Sequence, residues 1–313
     1  MEYGRTPVGR FAPSPSGRMH LGNVFSALLA WLSVKSQGGK IILRIEDLDP
    51  DRSRAEYVDA IKRDLEWLGL FWDEESACQS QRTMRYQAAF VTLQSMGLVY
   101  PCYCTRAELH AASAPHLSDG QAVYPGTCRH RESIPDRRPA WRLLTDNRDI
   151  SFCDGLRGKY SENLERDCGD FIIRRSDGIY AYQLAVVVDD GEMGITQVVR
   201  GSDLLSSTPR QLYLYQLLGF EPPEFYHVPL LVSPDGRRLS KRDGDLDISA
   251  LRKSYSSQKL IGILACAAGL TEKPAPVSPE QLAGQFSWAQ VTKEKTVEIR
   301  RFLSLESGGN LYV

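Results

Sequence analysis

The run Gly9-Arg10-Phe11-Ala12-Pro13-Ser14-Pro15-Ser16-Gly17-Arg18-Met19-His20-Leu21-Gly22-Asn23 reads as the end of a strand, a tight turn and the start of a helix. Val8 to Ala12 is the strand, and Pro13 to Gly17 supplies the turn residues. From Leu21 to Gln37 the residues Leu21, Val24, Phe25, Leu28, Leu29 and Leu32 cover a wide face, and the run stops at Gly38-Gly39. That spacing predicts a buried helix with a glycine C-cap. Ile41 to Ile45 is apolar without alternation, as in a parallel strand covered on both faces. Ser53-Arg54-Ala55-Glu56 has the form of a capping box, opening a helix with Tyr57, Val58, Ile61, Leu65 and Leu68 on one side. Strand, helix, strand, helix predicts an α/β fold with a doubly wound parallel sheet.

Working outward, the rhythm breaks from Cys102 to about Asp170, where short strands and Gly/Pro punctuation predict an inserted α+β unit with its own small core. The alternation resumes in two expected strands, Ile179 to Val188 and Ile195 to Val199. Thr208 as N-cap, Pro209 at the first helical position and Gly219 past the end mark a further helix. An apolar strand is expected from Val228 to Val232. After Asp247 the chain reads as mostly helical, interrupted by a proline-containing connection from Lys273 to Pro279. There is no internal repeat.

Composition narrows the function. The 313 residues carry 38 Lys+Arg against 39 Asp+Glu, a net charge of −1, so nucleic-acid binding must come from local basic clusters rather than bulk charge. No apolar run approaches the roughly 18 residues of a membrane span, and residues 1–7 lack the apolar core of a secretory signal. Seven cysteines is an odd number in a long chain, which argues against a disulfide framework and for a reducing, cytoplasmic setting.

Three clusters carry chemistry. At the first turn of the Leu21 helix, free N–H groups and the helix dipole favour an anion. His20 and Asn23, three apart, share that face, and Gly22 leaves room for a flat ring. The second cluster is the basic loop Arg237-Arg238-Leu239-Ser240-Lys241-Arg242-Asp243-Gly244-Asp245, which follows a strand and a Ser-Pro-Asp-Gly turn. Such a loop can close over a triphosphate and neutralise developing charge. The third is Cys102-Tyr103-Cys104 with Tyr124 and Cys128 downstream, a close thiolate pair and a distant third that suit one structural, tetrahedral Zn²⁺. General ligand chemistry favours His110, His116 or His130 as the fourth ligand.

The early His-x-Gly-x turn paired with the late basic x-Leu-Ser-Lys loop resembles the ATP-binding signatures of class I aminoacyl-tRNA synthetases. Arg10 to Asn23, Arg44-Ile45-Glu46-Asp47-Leu48-Asp49 and Val187-Val188-Asp189-Asp190 look like their glutamyl branch. The chain ends at Val313, short of the long anticodon-contacting regions of glutamyl-tRNA synthetases, so it is similar to the short glutamyl-queuosine family built of the catalytic part alone. The resemblance implies a Rossmann-like catalytic domain in two halves, residues 1–101 and 176–246. It implies a zinc-containing, acceptor-type insertion at 102–175, a short helical stem-contact-like region at 247–313, and no anticodon-binding domain. It also points to Tyr124 as the fourth zinc ligand.

The implied chemistry is ATP-dependent, tRNA-independent activation of L-glutamate to glutamyl-adenylate. Glutamate is then transferred to the cyclopentene-diol of queuosine at the wobble position of tRNA(Asp). The alternative is a truncated glutamyl-tRNA synthetase charging the tRNA 3′ end. By the same resemblance Arg10, Phe11, Ala12, Pro13, Ser14, Glu46, Tyr182 and Arg200 bind glutamate. His20, Gly22, Asn23, Arg238, Leu239 and Lys241 bind ATP, which Mg²⁺ accompanies, and His20, Asn23, Ser240 and Lys241 promote the chemistry. Glutamate carries two carboxylates and one ammonium, which suits two arginine forks and one carboxylate. Where the named signatures have His, Lys, Met and Ser, this chain has Asn23, Arg238, Leu239 and Arg242. Arg129-His130-Arg131, Arg137-Arg138, Arg174-Arg175 and Arg300-Arg301 are candidate contacts for tRNA phosphates, with modest and salt-dependent affinity expected. A monomer is expected.

Overall fold

The computed structural model describes residues 6–105, 108, 123–131, 136–239 and 246–304. β1 (Val8–Phe11), α1 (Leu21–Lys35) and β2 (Lys40–Leu43) form the expected unit, with β1 parallel to β2 from the Val8 and Lys40 pair to the Phe11 and Leu43 pair. Leu21, Val24, Phe25, Leu28, Leu29 and Leu32 are all fully buried. Gly9 permits the close approach of α1, because a Cβ there would stand 2.6 Å from Val34 Cγ2. α2 (Ala55–Trp67) follows, and β3 (Glu74–Glu75) extends the sheet in parallel beside β2. The capping box expected at Ser53 does not form. Ser53 belongs to the preceding turn, its N–H donating to the Asp49 carbonyl at 3.0 Å, and Arg54 is the N-cap without a side-chain bond.

After α3 (Thr83–Ser95) comes the insertion. β4 (Val99–Cys102) and β5 (Ala140–Leu143) pair antiparallel. β6 (Asp149–Asp154) and β7 (Gly158–Asn163) form a hairpin, and β8 (Phe171–Arg174) completes a three-stranded sheet beside β5.

The return to the main sheet differs from the sequence reading. The segment expected as a strand from Ile179 to Val188 is largely the helix α4 (Tyr182–Glu192). Leu184 to Asp190 are buried on every side, and a short, uniformly apolar run does not distinguish a strand from a buried helix. β9 (Gln197–Gly201) then runs close to β1, and just before it the Thr196 N–H donates to the Val8 carbonyl at 2.8 Å. α5 (Thr208–Leu218) has Ser207 rather than Thr208 as N-cap and ends as expected at Gly219, whose φ is 70°. β10 (Glu224–Val228) lies parallel to β9, and β11 (Leu230–Val232) follows it.

The final region is helical only in part. α6 (Ile248–Leu251), α7 (Ser257–Ala268) and α8 (Pro279–Ala283) precede β12 (Thr296–Glu298), which pairs in parallel with β11, and α9 (Arg300–Ser304) follows. Three residues of strand are too few to leave a periodic signal in the sequence. Trp288 ties this region to the sheet layer. It stacks on Tyr226 with centroids 4.3 Å apart, and its Nε1–H donates to Ser33 Oγ at 3.0 Å.

The sheet is covered on both faces. Ile41 and Leu43 belong to one apolar cluster with α1 and α7, whereas Ile42 belongs to another with α3, α4 and α5. This is the doubly wound arrangement expected from the sequence. Its crevice lies beyond the carboxyl ends of β1 and β9, where such folds place ligands.

Candidate active site

The crevice is a cavity of about 560 Å³ lined by Arg10, Phe11, Ala12, Pro13, Ser14, His20, Gly22, Asn23, Glu46, Tyr182, Arg200, Arg238 and Leu239. That volume suits a small-molecule site. Sequence positions from 10 to 239 therefore converge on one space. Ser240 and Lys241 lie outside the described residues, as do Arg242, His110 and His116. Arg18 and Asp203, which sequence reasoning did not single out, also line the cavity.

One end is built by the helix start. His20 is the N-cap of α1, and its Nδ1 accepts the Gly22 N–H at 3.1 Å, while its own N–H donates to Asn23 Oδ1 at 3.1 Å. In the neutral ring this places the proton on Nε2. Asn23 keeps its amide N–H₂ as a donor. Gly22 has a nearer purpose than the one its sequence suggested: a Cβ would stand 3.0 Å from the His20 ring, so the glycine first makes room for that cap. The far chain reaches the same place. Ile248 N–H donates to the Met19 carbonyl at 3.0 Å, and Leu239 N–H donates to the Leu231 carbonyl at 3.2 Å. Arg238 is tethered to Asp203 at 2.6 Å.

The other end is charged and buried. Arg10, on β1, is 5% exposed; its Nε lies 3.5 Å from Asp190 Oδ1. Arg44, fully buried, donates to Asp190 Oδ1 at 2.6 Å and to Glu46 Oε1 at 3.0 Å, and sits 3.6 Å from Asp189. Burial works against the Arg44 charge, but Asp190, Glu46 and Asp189 outweigh it and hold the guanidinium protonated. Burial raises the Glu46 carboxyl above its usual range, against the pull of Arg44 and Arg10. Asp190 moves the other way: burial would raise it, but Arg44 and Arg10 bring it down. Asp189 is further held by Gln79 at 2.8 Å, Arg82 at 2.6 Å and Tyr86 at 3.0 Å.

Arg200, on β9, is 6% exposed and donates to Tyr182 Oη at 3.4 Å and Thr208 Oγ1 at 2.9 Å. Tyr182 opens α4; burial raises its phenol, so it keeps a proton to donate. This end thus presents two guanidinium forks, one carboxylate and one hydroxyl, a set complementary to a dicarboxylic amino acid. Sequence reasoning named those four, which the structure brings together, but not Arg44 and Asp190 as their supports. The paired motifs Arg44-Ile45-Glu46 and Asp189-Asp190 were visible, but their contact spans 146 positions.

The third cluster assembles in the insertion. The Cys102, Cys104 and Cys128 sulfurs lie within 4.8 Å of one another, and Cys104 and Cys128 are 3.5 Å apart. Tyr124 Oη is 3.5 Å from Cys102 Sγ and 3.8 Å from Cys104 Sγ. Four ligands about 2.3 Å from a tetrahedral Zn²⁺ stand roughly 3.8 Å apart, so three thiols and a phenol at these spacings fit the ion. Burial raises the Cys128 thiol, but hydrogen bonds from Tyr103 N–H and Tyr124 bring it down to about 7, toward the thiolate a metal needs.

The basic clusters are less available than their sequence suggests. Arg129 forms a bidentate pair with Asp170 at 2.7 and 2.8 Å. Arg174 lies over the rings of Phe90 and Tyr180, Arg175 pairs with Asp177 at 2.6 Å, and Arg301 pairs with Glu298 at 2.5 Å. Among the described residues no helix is long and apolar enough to cross a membrane.

Comparison with known proteins gives the family. The family described as tRNA synthetases class I (E and Q), catalytic domain, matches residues 8–298. A Glutamyl-Q tRNA(Asp) synthetase of Nitratidesulfovibrio vulgaris is 50% identical over 90% of this chain and 92% of its own length. One from Symbiobacterium thermophilum is 46% identical over 96% and 98%. Among solved structures, a glutamate tRNA ligase from Elizabethkingia meningosepticum in complex with its amino acid has a TM-score of 0.80 at 29% identity, covering 97% of this chain and 70% of that one. The chain therefore belongs to the class I tRNA synthetases, in their glutamyl-Q tRNA(Asp) synthetase family, and is a ligase of the aminoacyl-tRNA synthetase type.

Proposed function

We propose that the protein activates L-glutamate with ATP, without tRNA, and transfers the glutamyl group to the cyclopentene-diol of queuosine at the wobble position of tRNA(Asp). The observation that carries this reading is the shared cavity: Arg10, Glu46, Tyr182 and Arg200 at one end, His20, Gly22, Asn23, Arg238 and Leu239 at the other. The choice of acceptor is supported by relatives that are Glutamyl-Q tRNA(Asp) synthetases. The forks pair with the two carboxylates of glutamate and Glu46 with its ammonium, leaving the α-carboxylate to attack the α-phosphate of ATP with loss of pyrophosphate. His20 Nε2–H and Asn23 donate to phosphate oxygens at the helix N-terminus. Lys241, with Ser240 beside it in the basic loop, neutralises the charge that grows on the phosphates. Adenylation of this kind asks for positioning and charge stabilisation rather than a general base. Mg²⁺ accompanies the nucleotide.

In the same reading residues 102–175 are a zinc-stabilised insertion, with Cys102, Cys104, Tyr124 and Cys128 as ligands. A tRNA substrate places the work in the cytoplasm. The test is ATP–pyrophosphate exchange with each of the twenty amino acids and no tRNA, where only glutamate should support exchange. Transfer is then followed on queuosine-containing tRNA(Asp) with a 3′-deoxy terminus. Label must still attach; attachment only when the 3′ hydroxyls are intact would overturn the acceptor.

A further inference from the structure

We propose that His227, held by Asp154, is the positioning residue of the amino-acid pocket, a neutral imidazole that fixes the Arg200 guanidinium for a substrate carboxylate. This rests on the proposed role of Arg200 as a glutamate fork. His227 and Asp154 have fully buried side chains, and Nδ1 of the histidine lies 2.6 Å from Asp154 Oδ2. Nε2 lies 3.0 Å from Arg200 Nε. A guanidinium only donates, so Nε2 must accept and the ring proton must sit on Nδ1, directed at Asp154. Burial holds the imidazole below its usual range, and Arg200 and Arg157 reinforce this against the pull of Asp154. Thr208 takes another Arg200 N–H at 2.9 Å, Tyr182 one at 3.4 Å and the Leu204 carbonyl one at 3.5 Å, so with His227 four neighbours fix the fork.

The three members come from separate parts of the chain. Arg200 and His227 are register partners across β9 and β10. Asp154 ends β6, in the insertion, and its hairpin is latched to β10: Gly155 N–H donates to the Phe225 carbonyl at 2.9 Å, and Arg157 Nε donates to the His227 carbonyl at 2.7 Å. The insertion thereby reaches the amino-acid pocket through one carboxylate. Sequence reasoning had no signal for it, since His227 stands alone in a short strand 73 positions from Asp154.

The geometry also supplies a test that removes nothing from the pocket. Asp154 Oδ1 accepts the N–H groups of Leu156 at 3.0 Å, Arg157 at 2.8 Å and His227 at 3.2 Å. In Asp154→Asn those donors hold the amide oxygen in that place and turn the NH₂ toward Nδ1. The ring proton then moves to Nε2, facing Arg200, the wrong tautomer for the task. His227→Gln keeps an acceptor near the Nε2 position, whereas His227→Phe removes it.

Glutamate-dependent pyrophosphate exchange is measured for these variants and for Arg200→Ala. Asp154→Asn and His227→Phe should raise the glutamate KM about tenfold to a hundredfold, the range for a hydrogen bond to a charged group, with kcat and the ATP KM little changed. His227→Gln should recover most of the loss. Equal impairment in Gln and Phe, or parallel rises in both KM values, would overturn the proposal. If Arg200→Ala itself leaves the glutamate KM unmoved, the reading of the pocket fails. If Arg200→Ala is severe while Asp154→Asn and His227→Phe are silent, only the positioning role fails.

Discussion

The end of the crevice proposed for the amino acid and the end proposed for the nucleotide are assembled from contacts of opposite range. Arg44 meets Asp190 across 146 positions and Gln79 meets Asp189 across 110, all of them buried. His20 meets Asn23 across three positions and Gly22 across two, in partly exposed surroundings. The first end is a set of side-chain charges that must all be present to be tolerated out of water. The second is a helix start that any adequate cap would supply. The amino-acid end is therefore brittle and selective, and the nucleotide end forgiving, which makes the two separable by mutation.

The largest effect is expected at the centre of the brittle end. Arg44→Met removes the cation shared by Asp189, Asp190 and Glu46 and leaves buried carboxylates facing one another. Breaking a buried pair in this way costs about 3–5 kcal/mol, read by urea denaturation. A loss below about 1 kcal/mol, the scale of an exposed pair, would mean that the cluster is not what holds this end together. Next comes Arg10→Lys, which keeps the charge and loses the fork. A glutamate KM raised by roughly tenfold or more, with the ATP KM unchanged, is expected because an ammonium cannot pair with a carboxylate in bidentate fashion. Equal changes for both substrates would erase the distinction between the ends.

A smaller, graded effect follows from pH. Glu46 must be ionised to hold an ammonium, and burial raises its carboxyl against the pull of Arg44 and Arg10. The glutamate KM should therefore rise as pH is lowered toward that raised pKa, while the ATP KM stays level. Glu46→Gln should bind glutamate poorly and lose this dependence. A glutamate KM that is flat with pH in the unmodified protein would remove Glu46 from the role.

The same contrast explains what the sequence disclosed. The β1–α1–β2 unit was legible because its apolar spacing and glycines are local, and the nucleotide end inherits that clarity. The four residues proposed to face the amino acid were visible through resemblance, yet their supports were not, since nothing local at Arg44, Asp154 or His227 announces a partner far away. Tyr182 shows the limit in another way. Its run Leu184 to Val188 is apolar on all sides because α4 is enclosed, so the period that separates strand from helix was missing. The capping pattern at Ser53 failed for the reverse reason: the residues were right, but the Asp49 turn had already claimed the serine.

Asn23→Ala probes the forgiving end and should have the smallest effect. Asn23 is exposed, and among the described residues its Oδ1 accepts only the His20 N–H, which water can reach once the side chain is cut back. The other half of the cap, Gly22 N–H to His20 Nδ1 at 3.1 Å, is untouched and keeps the His20 ring in place. A stability loss of about 1 kcal/mol or less is expected, as for removal of one capping bond. The ATP KM should rise by a few-fold, roughly the worth of one hydrogen bond, and the glutamate KM should not move. A glutamate KM that shifts as far as the ATP KM would show that the helix start also sets the amino-acid end, and the two could no longer be treated as independently built.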